Sequence, residues 1–141
     1  MGIEHGNNYI LQNGKSGTVL DLSGSDGYSI LGWEGHSGDN QRWTLENHDN
    51  RWVFRNVGTG RYLGYNPDDL RDDAPVFAVD EPVAWDIWPD EGDDTVHRIS
   101  VPGTPFTVDL TNFGSEDNGT PVALWGKWEG RNQTWRFLQG E

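Results

Sequence analysis

Asn132-Gln133-Thr134-Trp135 lies close to the end of the chain, and its pattern occurs earlier as Asn40-Gln41-Arg42-Trp43 and, loosened, as Trp85-Asp86-Ile87-Trp88. Counted by their last tryptophans, the three tetrads stand 45 and 47 residues apart. A short apolar triplet precedes each: Leu20-Asp21-Leu22, Leu63-Gly64-Tyr65 and Val108-Asp109-Leu110. Between triplet and tetrad comes an apolar run: Ile30-Leu31-Gly32-Trp33, Val76-Phe77-Ala78-Val79 and Val122-Ala123-Leu124-Trp125. Three landmarks in one order, three times over, mark an internal repeat.

The repeats occupy approximately 8–49, 50–93 and 94–140 of a single 141-residue domain, a length sufficient to bury a core. Each offers four short stretches rich in β-branched, aromatic and aliphatic residues. In the first they are Tyr9–Leu11, Val19–Leu22, Ser29–Trp33 and Arg42–Glu46. In the second they are Trp52–Val57, Tyr62–Tyr65, Val76–Val79 and Trp85–Trp88. In the third they are Val96–Val101, Phe106–Leu110, Pro121–Trp125 and Thr134–Leu138. Turn formers such as Asn13-Gly14, Gly58-Thr59-Gly60 and Pro102-Gly103 separate them, and no long segment keeps a helical period. Propellers of four-stranded blades usually need at least about four blades. Three units closing one barrel instead predict an all-β fold, a β-trefoil of twelve short strands in three pseudo-symmetric repeats.

Composition narrows the function. Ten Lys and Arg against 23 Asp and Glu give a net charge of −13. Such a surface repels phosphate backbones and anionic lipid, which argues against nucleic acid and electrostatic membrane binding; its plain role is solubility. No apolar run approaches membrane-spanning length, so no direct membrane insertion is expected. No cysteine is present, so neither a disulfide framework nor a zinc–thiolate site is available. The opening Met1–Asn13 has no basic or apolar signal region, so the expectation is a cytoplasmic protein, or one exported without a signal peptide. Eight tryptophans against one methionine exceed what a core of this size needs, so some rings are expected outside it.

The Leu-Asp-Leu…Trp…Asn-Gln-x-Trp pattern runs from Tyr9 to Leu138 and resembles the ricin B-type (R-type) lectins, particularly the small single-domain fungal members with their Gln-x-Trp repeat. The resemblance implies an aspartate accepting hydrogen bonds from two adjacent sugar hydroxyls, and an aromatic ring stacked on the sugar's C–H face. It further implies an asparagine on a ring hydroxyl and a glutamine bracing the pocket. The chemistry is sound on its own terms, because a pyranose has one apolar face and a rim of hydroxyls. An axial hydroxyl, as in galactose, leaves the opposite face a continuous apolar patch suited to an indole.

Carried onto this sequence, the first repeat supplies Asp21, Trp33, Asn40 and Gln41, with His36 in the intervening loop. The third supplies Asp109, Trp125, Asn132 and Gln133, with Trp128 where the first has His36. Gly24 and Asn112 follow the two aspartates by three residues and are expected to shape the adjoining turns. In the second repeat the matching positions read Gly64, Val79, Trp85 and Asp86, which predicts two sites and one silent position. Trp43, Trp88 and Trp135 occur in all three repeats and read as core. Trp33 and Trp125 disappear together with the aspartate, as ligand-facing groups would.

The resemblance implies a carbohydrate-binding agglutinin for terminal galactose or N-acetylgalactosamine on glycans and glycoconjugates, a homodimer that would add sites, and a part in fungal defence. No cofactor or metal is expected. HExxH, GxSxG and CxxC motifs are absent, and Asn13-Gly14-Lys15-Ser16 reads as a hairpin turn rather than a phosphate loop. The pairs Asp68-Asp69, Asp72-Asp73 and Asp93-Asp94 read as solvated loops rather than calcium ligands. Glycoside hydrolysis needs two carboxylates across one bond, whereas each unit repeats one, so binding rather than catalysis is expected. The alternative is a β-trefoil protease inhibitor acting through exposed loops. That reading leaves unexplained why Asp, Trp and Asn are kept together twice and lost together once. Two sequons, Asn118-Gly119-Thr120 and Asn132-Gln133-Thr134, remain, and a glycan on Asn132 would block the proposed pocket.

Overall fold

In the first strand, β1 (Asn8–Asn13), Tyr9, Leu11 and Asn13 are buried while Asn8, Ile10 and Gln12 stay partly accessible, the period-two pattern of a half-buried strand. The computed structural model describes residues 2–139 and carries twelve strands. The first repeat continues with β2 (Val19–Leu22), β3 (Ile30–Trp33) and β4 (Trp43–His48). The second holds β5 (Arg51–Asn56), β6 (Tyr62–Tyr65), β7 (Ala74–Val79) and β8 (Asp86–Pro89). The third holds β9 (His97–Ser100), β10 (Phe106–Leu110), β11 (Thr120–Gly126) and β12 (Trp135–Gln139). All twelve expected stretches are strands, shifted by a residue or two at their ends.

Every pairing is antiparallel. The outer strands of the repeats close a ring: β1 on β4, β4 on β5, β8 on β9, β9 on β12 and β12 on β1. A bridge between Trp52 and Trp85 joins β5 to the start of β8 and completes a six-stranded barrel. The inner strands form three hairpins, β2–β3, β6–β7 and β10–β11. These meet in a triangular cap through β3–β11, β11–β7 and the Ser29–Phe77 bridge. The architecture is the β-trefoil.

Barrel and cap enclose one apolar core containing Leu11, Leu45, Phe54, Ile99, Leu110 and Leu124, all fully buried. Three indoles anchor it in the same way. Trp43 Nε1 donates to the Leu20 carbonyl at 3.1 Å, Trp85 Nε1 to Leu63 at 3.0 Å, and Trp135 Nε1 to Val108 at 3.2 Å. Each bond satisfies the polar end of an otherwise apolar buried ring.

These bonds correct the reading of the second repeat. Its barrel tryptophan is Trp85, whereas Trp88 is 57% exposed. Counting back from Trp85, the residues matching Asn40 and Gln41 are Pro82 and Val83, not Trp85 and Asp86. The strand register explains the displacement: β8 begins only at Asp86, turning Ile87 toward the core and Trp88 outward. Gly64 and Val79 keep their assignment, because the pairs Tyr62–Val79, Val19–Trp33 and Thr107–Trp125 occupy equivalent rungs.

Candidate functional site

Asp21 and Asp109 sit mid-strand between apolar neighbours, where alternation alone would permit a solvated side chain. They are instead only 4% and 3% exposed. A buried carboxylate is tolerated only when hydrogen-bonded, and both are held by the tetrads that gave the repeat away. In the first repeat, Asn40 Nδ2 and Gln41 Nε2 donate to Asp21 Oδ2 at 3.1 and 2.9 Å. In the third, Asn132 Nδ2 donates to Asp109 Oδ1 at 3.2 Å and Gln133 Nε2 to Oδ2 at 3.0 Å. Asp21 Oδ1 has no partner among the described residues and is not sealed from solvent, so it is available to a ligand hydroxyl.

The register puts the rings beside the carboxylates. Trp33 pairs with Val19 and Asp21 with Leu31, so Trp33 and Asp21 share one face of the β2–β3 ribbon. Trp125 and Asp109 share the equivalent face of β10–β11. The tetrads are 3-10 turns, Asp39–Gln41 and Arg131–Gln133, each locked by further bonds. Asn40 and Asn132 also donate to the carbonyls of Leu22 and Leu110, and Gln41 and Gln133 to those of Glu34 and Gly126. Gln41 Oε1 accepts from the His36 amide at 2.9 Å, and Gln133 Oε1 from the Trp128 amide at 3.1 Å. The glutamines therefore fix the rim loops as well as the aspartates.

His36 and Trp128 occupy matching rims. His36 Nδ1 accepts from the Gly38 amide, so Nε2 carries the proton and faces Asp21 Oδ2 at 4.0 Å. Each rim side chain lies over a glycine, Gly38 or Gly130, where a Cβ would collide with it and with the site asparagine. Gly24 is exposed with open space around it, whereas Asn112 adopts a left-handed conformation with φ 54°.

Burial pushes the Asp109 carboxyl up to about 6; hydrogen bonds from Gln133, Trp128 and Asn132 oppose the rise, and the nearby Asp72 charge adds to it. Asp109, Asn112, Trp125, Trp128 and Asn132 line one cleft of about 720 Å³, with Asp72 and Phe113 at its edge. Gln133 Oε1 gains a second donor from Arg98, a buried guanidinium also paired with Asp90 at 2.8 Å. Asn132 is itself buried with its amide fully engaged, so a glycan on that nitrogen is incompatible with the intact pocket.

Several contributing residues escaped the sequence reading because they come from other repeats. Asn13 Nδ2 donates to the Asn132 carbonyl at 2.9 Å, and Asn56 Nδ2 to the Asn40 carbonyl at 3.0 Å. Both asparagines are buried. The equivalent residue next to the second repeat is Val101, identified by the backbone bond each makes five residues on, to Thr18, Arg61 and Phe106. Asp72 Oδ1 accepts from the Gly126 amide, as Asn118 Oδ1 does from the Glu34 amide, both at 2.8 Å. Asp72, exposed in its turn as expected, thus also forms part of the pocket wall. The loss of an asparagine at position 101 was a readable signal, but only once the turns had been matched. Among the described residues no cluster of three or more His, Cys, Asp or Glu is placed to hold a metal.

A β-trefoil whose buried aspartates are braced by Asn-Gln turns beside partly open tryptophans is a lectin scaffold for carbohydrate. The sequence profile described as ricin-type beta-trefoil lectin domain-like matches residues 2–78, and the chain belongs to this family. The Macrolepiota procera ricin B-like lectin, solved in complex with lactose, is similar at 41% identity over 99% of both chains, with a TM-score of 0.95. The Rhizoctonia solani agglutinin is 28% identical over 99% of this chain and 98% of its own, with a TM-score of 0.87. The designed threefold-symmetric protein ThreeFoil shares the fold, at 24% identity over 94% of this chain and 98% of its own and a TM-score of 0.84. No curated protein sequence gave a match.

Proposed function

We propose that the chain is a non-catalytic lectin for terminal galactose or N-acetylgalactosamine, with two pockets centred on Asp21/Trp33/Asn40 and Asp109/Trp125/Asn132. The observation that carries this reading is the shared construction of the two pockets. In both, a buried aspartate and a tryptophan share a strand face under an Asn-Gln brace. The second repeat has Gly64, Val79, Pro82 and Val83 at those positions and can offer neither acceptor nor ring. The lactose bound by the Macrolepiota procera relative is a galactoside, which supports the sugar class. Binding without catalysis is favoured because the part the two pockets repeat is one braced carboxylate each, Asp21 or Asp109, whereas hydrolysis needs a pair across the bond.

A stacked ring adds on the order of 1 kcal/mol beyond its burial. Shallow pockets of this kind bind monosaccharides at roughly millimolar to high-micromolar Kd. Two pockets on one rigid domain raise avidity on dense glycan surfaces by ~10²-fold or more. The test is calorimetric titration with galactosides, supported by a glycan array. Wild type should bind two equivalents, Asp21→Ala and Asp109→Ala one each, and the double variant none. A wild type that binds no galactosylated glycan would end this reading.

A further inference from the structure

Packing gives no reason for the position of Phe113. Its ring is 77% exposed and its backbone sits at φ 54°, ψ 34°. A bulky L-residue rarely enters that left-handed region, and does so at a cost in strain that clusters at functional sites. Asn112 and Gly114 on either side are also left-handed, at φ 54° and 79°. The turn is held from outside: Lys15 Nζ donates to the Phe113 carbonyl at 3.3 Å, and a Cβ on Gly114 would run into Lys15 and Asn132. The fold therefore presents Phe113 to solvent at one place, the edge of the cleft that contains Asp109 and Trp125.

There it meets a second ring. Phe113 and Trp128 pack edge to face, centroids 6.4 Å apart at 89°, making an apolar corner. The first repeat has no such corner, since its matching residues are Ser25 and His36. A second position differs as well. Asn118 is engaged at both ends by Glu34, through the bonds at 2.8 and 3.1 Å. Asp72 gives only Oδ1 to the Gly126 amide, and Oδ2 has no partner among the described residues. Besides Asp109 and Trp125, the lining of the third-repeat cleft thus includes an apolar corner and an available acceptor. These are the two features a pyranose requires.

We propose that the third-repeat pocket is a two-sugar site, whereas the first-repeat pocket holds one sugar. The terminal galactosyl residue occupies Asp109/Trp125. The next pyranose lays its C–H face on the Phe113–Trp128 corner and gives a hydroxyl to Asp72. This rests on the galactoside reading above.

The experiment isolates each pocket by removing the other's aspartate. In the Asp21→Ala protein, lactose should bind roughly tenfold more tightly than methyl β-galactoside, one stacked ring's worth of affinity. In the Asp109→Ala protein the two should bind about equally. Adding Phe113→Ser to Asp21→Ala should bring the lactose-to-methyl-galactoside ratio to about one. Phe113→Gly should do the same while raising Tm, because glycine relieves the left-handed strain. Equal affinities in Asp21→Ala, or a ratio that survives Phe113→Ser, would overturn the proposal. So would a change of oligomeric state in sedimentation with the ratio unaltered, which would assign Phe113 to a contact with a second copy of the chain. Failure of the wild type to bind either galactoside would instead remove the underlying reading, a distinct outcome.

Discussion

The indole of Trp85 donates to the carbonyl of Leu63 at 3.0 Å, across the interior of the second repeat. Trp43 and Leu20 make the same contact in the first repeat, as do Trp135 and Val108 in the third. This bond, rather than spacing, identifies which tryptophan each repeat uses as its pillar. Trp85→Ala should therefore cost about 3–5 kcal/mol, the range for emptying a buried aromatic position. Trp88→Ala, three residues on and exposed, should stay within about 0.5 kcal/mol. Denaturant melts of both variants decide the matter, and the reverse order would return Trp88 to the core.

Sugar binding at the third pocket should depend on pH. Asp109 in the folded protein titrates at about 6, above the ordinary 3.8, because burial disfavours its charge. The folded state then holds this proton more tightly than the unfolded chain does. Stability from this group is complete below the ordinary value and declines as pH rises through about 6. Binding runs the other way, since the ionised carboxylate is the better acceptor for two hydroxyls. Titrations of Asp21→Ala, which leaves the third pocket alone, should show affinity at pH 5 roughly tenfold below that at pH 7. A flat profile over that range would mean that Asp109 does not titrate there or does not contact the sugar.

The silent repeat should resist repair by a single substitution. A Cβ on Gly64 would come within 2.7 Å of a Val79 methyl, so the residue that replaced the stacking ring also occupies the space an aspartate would need. Gly64→Asp should destabilise the fold by about 1–3 kcal/mol, through overpacking and a carboxylate without donors from Pro82 or Val83. It should leave the galactoside stoichiometry at two. A third equivalent in calorimetry would contradict this account.

Each proposed pocket leans on the following repeat. Asn56→Ala removes the donor to the Asn40 carbonyl, and Asn13→Ala the donor to the Asn132 carbonyl. Each should cost about 1–3 kcal/mol of stability by stranding an acceptor that is buried at Asn132 and part-buried at Asn40. Asn56→Ala should weaken the first pocket only, and Asn13→Ala the third only. Measured in the Asp109→Ala and Asp21→Ala backgrounds respectively, an affinity loss in the wrong pocket, or in neither, would refute the cross-repeat brace.

The guanidinium of Arg98 reaches the third pocket from behind, donating to Gln133 Oε1 at 3.1 Å and to the Trp128 carbonyl at 2.9 Å. Arg98→Met should keep the apolar stem while stranding Asp90, and should lower third-pocket affinity with the first pocket unaffected. Separate titrations of the two pockets check this. Equal losses would point to general loosening of the barrel.

What the sequence determined by itself was the periodic part of the molecule. Alternating apolar residues and glycine- or asparagine-containing turns are local properties, so all twelve strands and the threefold plan were readable from the chain. The contrast between Asp21/Trp33 or Asp109/Trp125 and Gly64/Val79 was readable too, because those pairs keep a fixed offset within one hairpin. Only the tertiary structure decided what depends on contacts across repeats. It placed Trp85 rather than Trp88 in the core, since β8 begins one residue after Trp85 and sends Trp88 outward. It brought Asn13, Asn56, Asp72 and Asn118 to pockets far away in sequence, and it buried the aspartates that alternation alone would have left wet. It also held Phe113 exposed in a left-handed turn beside Trp128. The physical reason is that a repeat specifies its own hydrogen-bonded ribbon, while barrel closure alone fixes which loop of one repeat lies against the pocket of another.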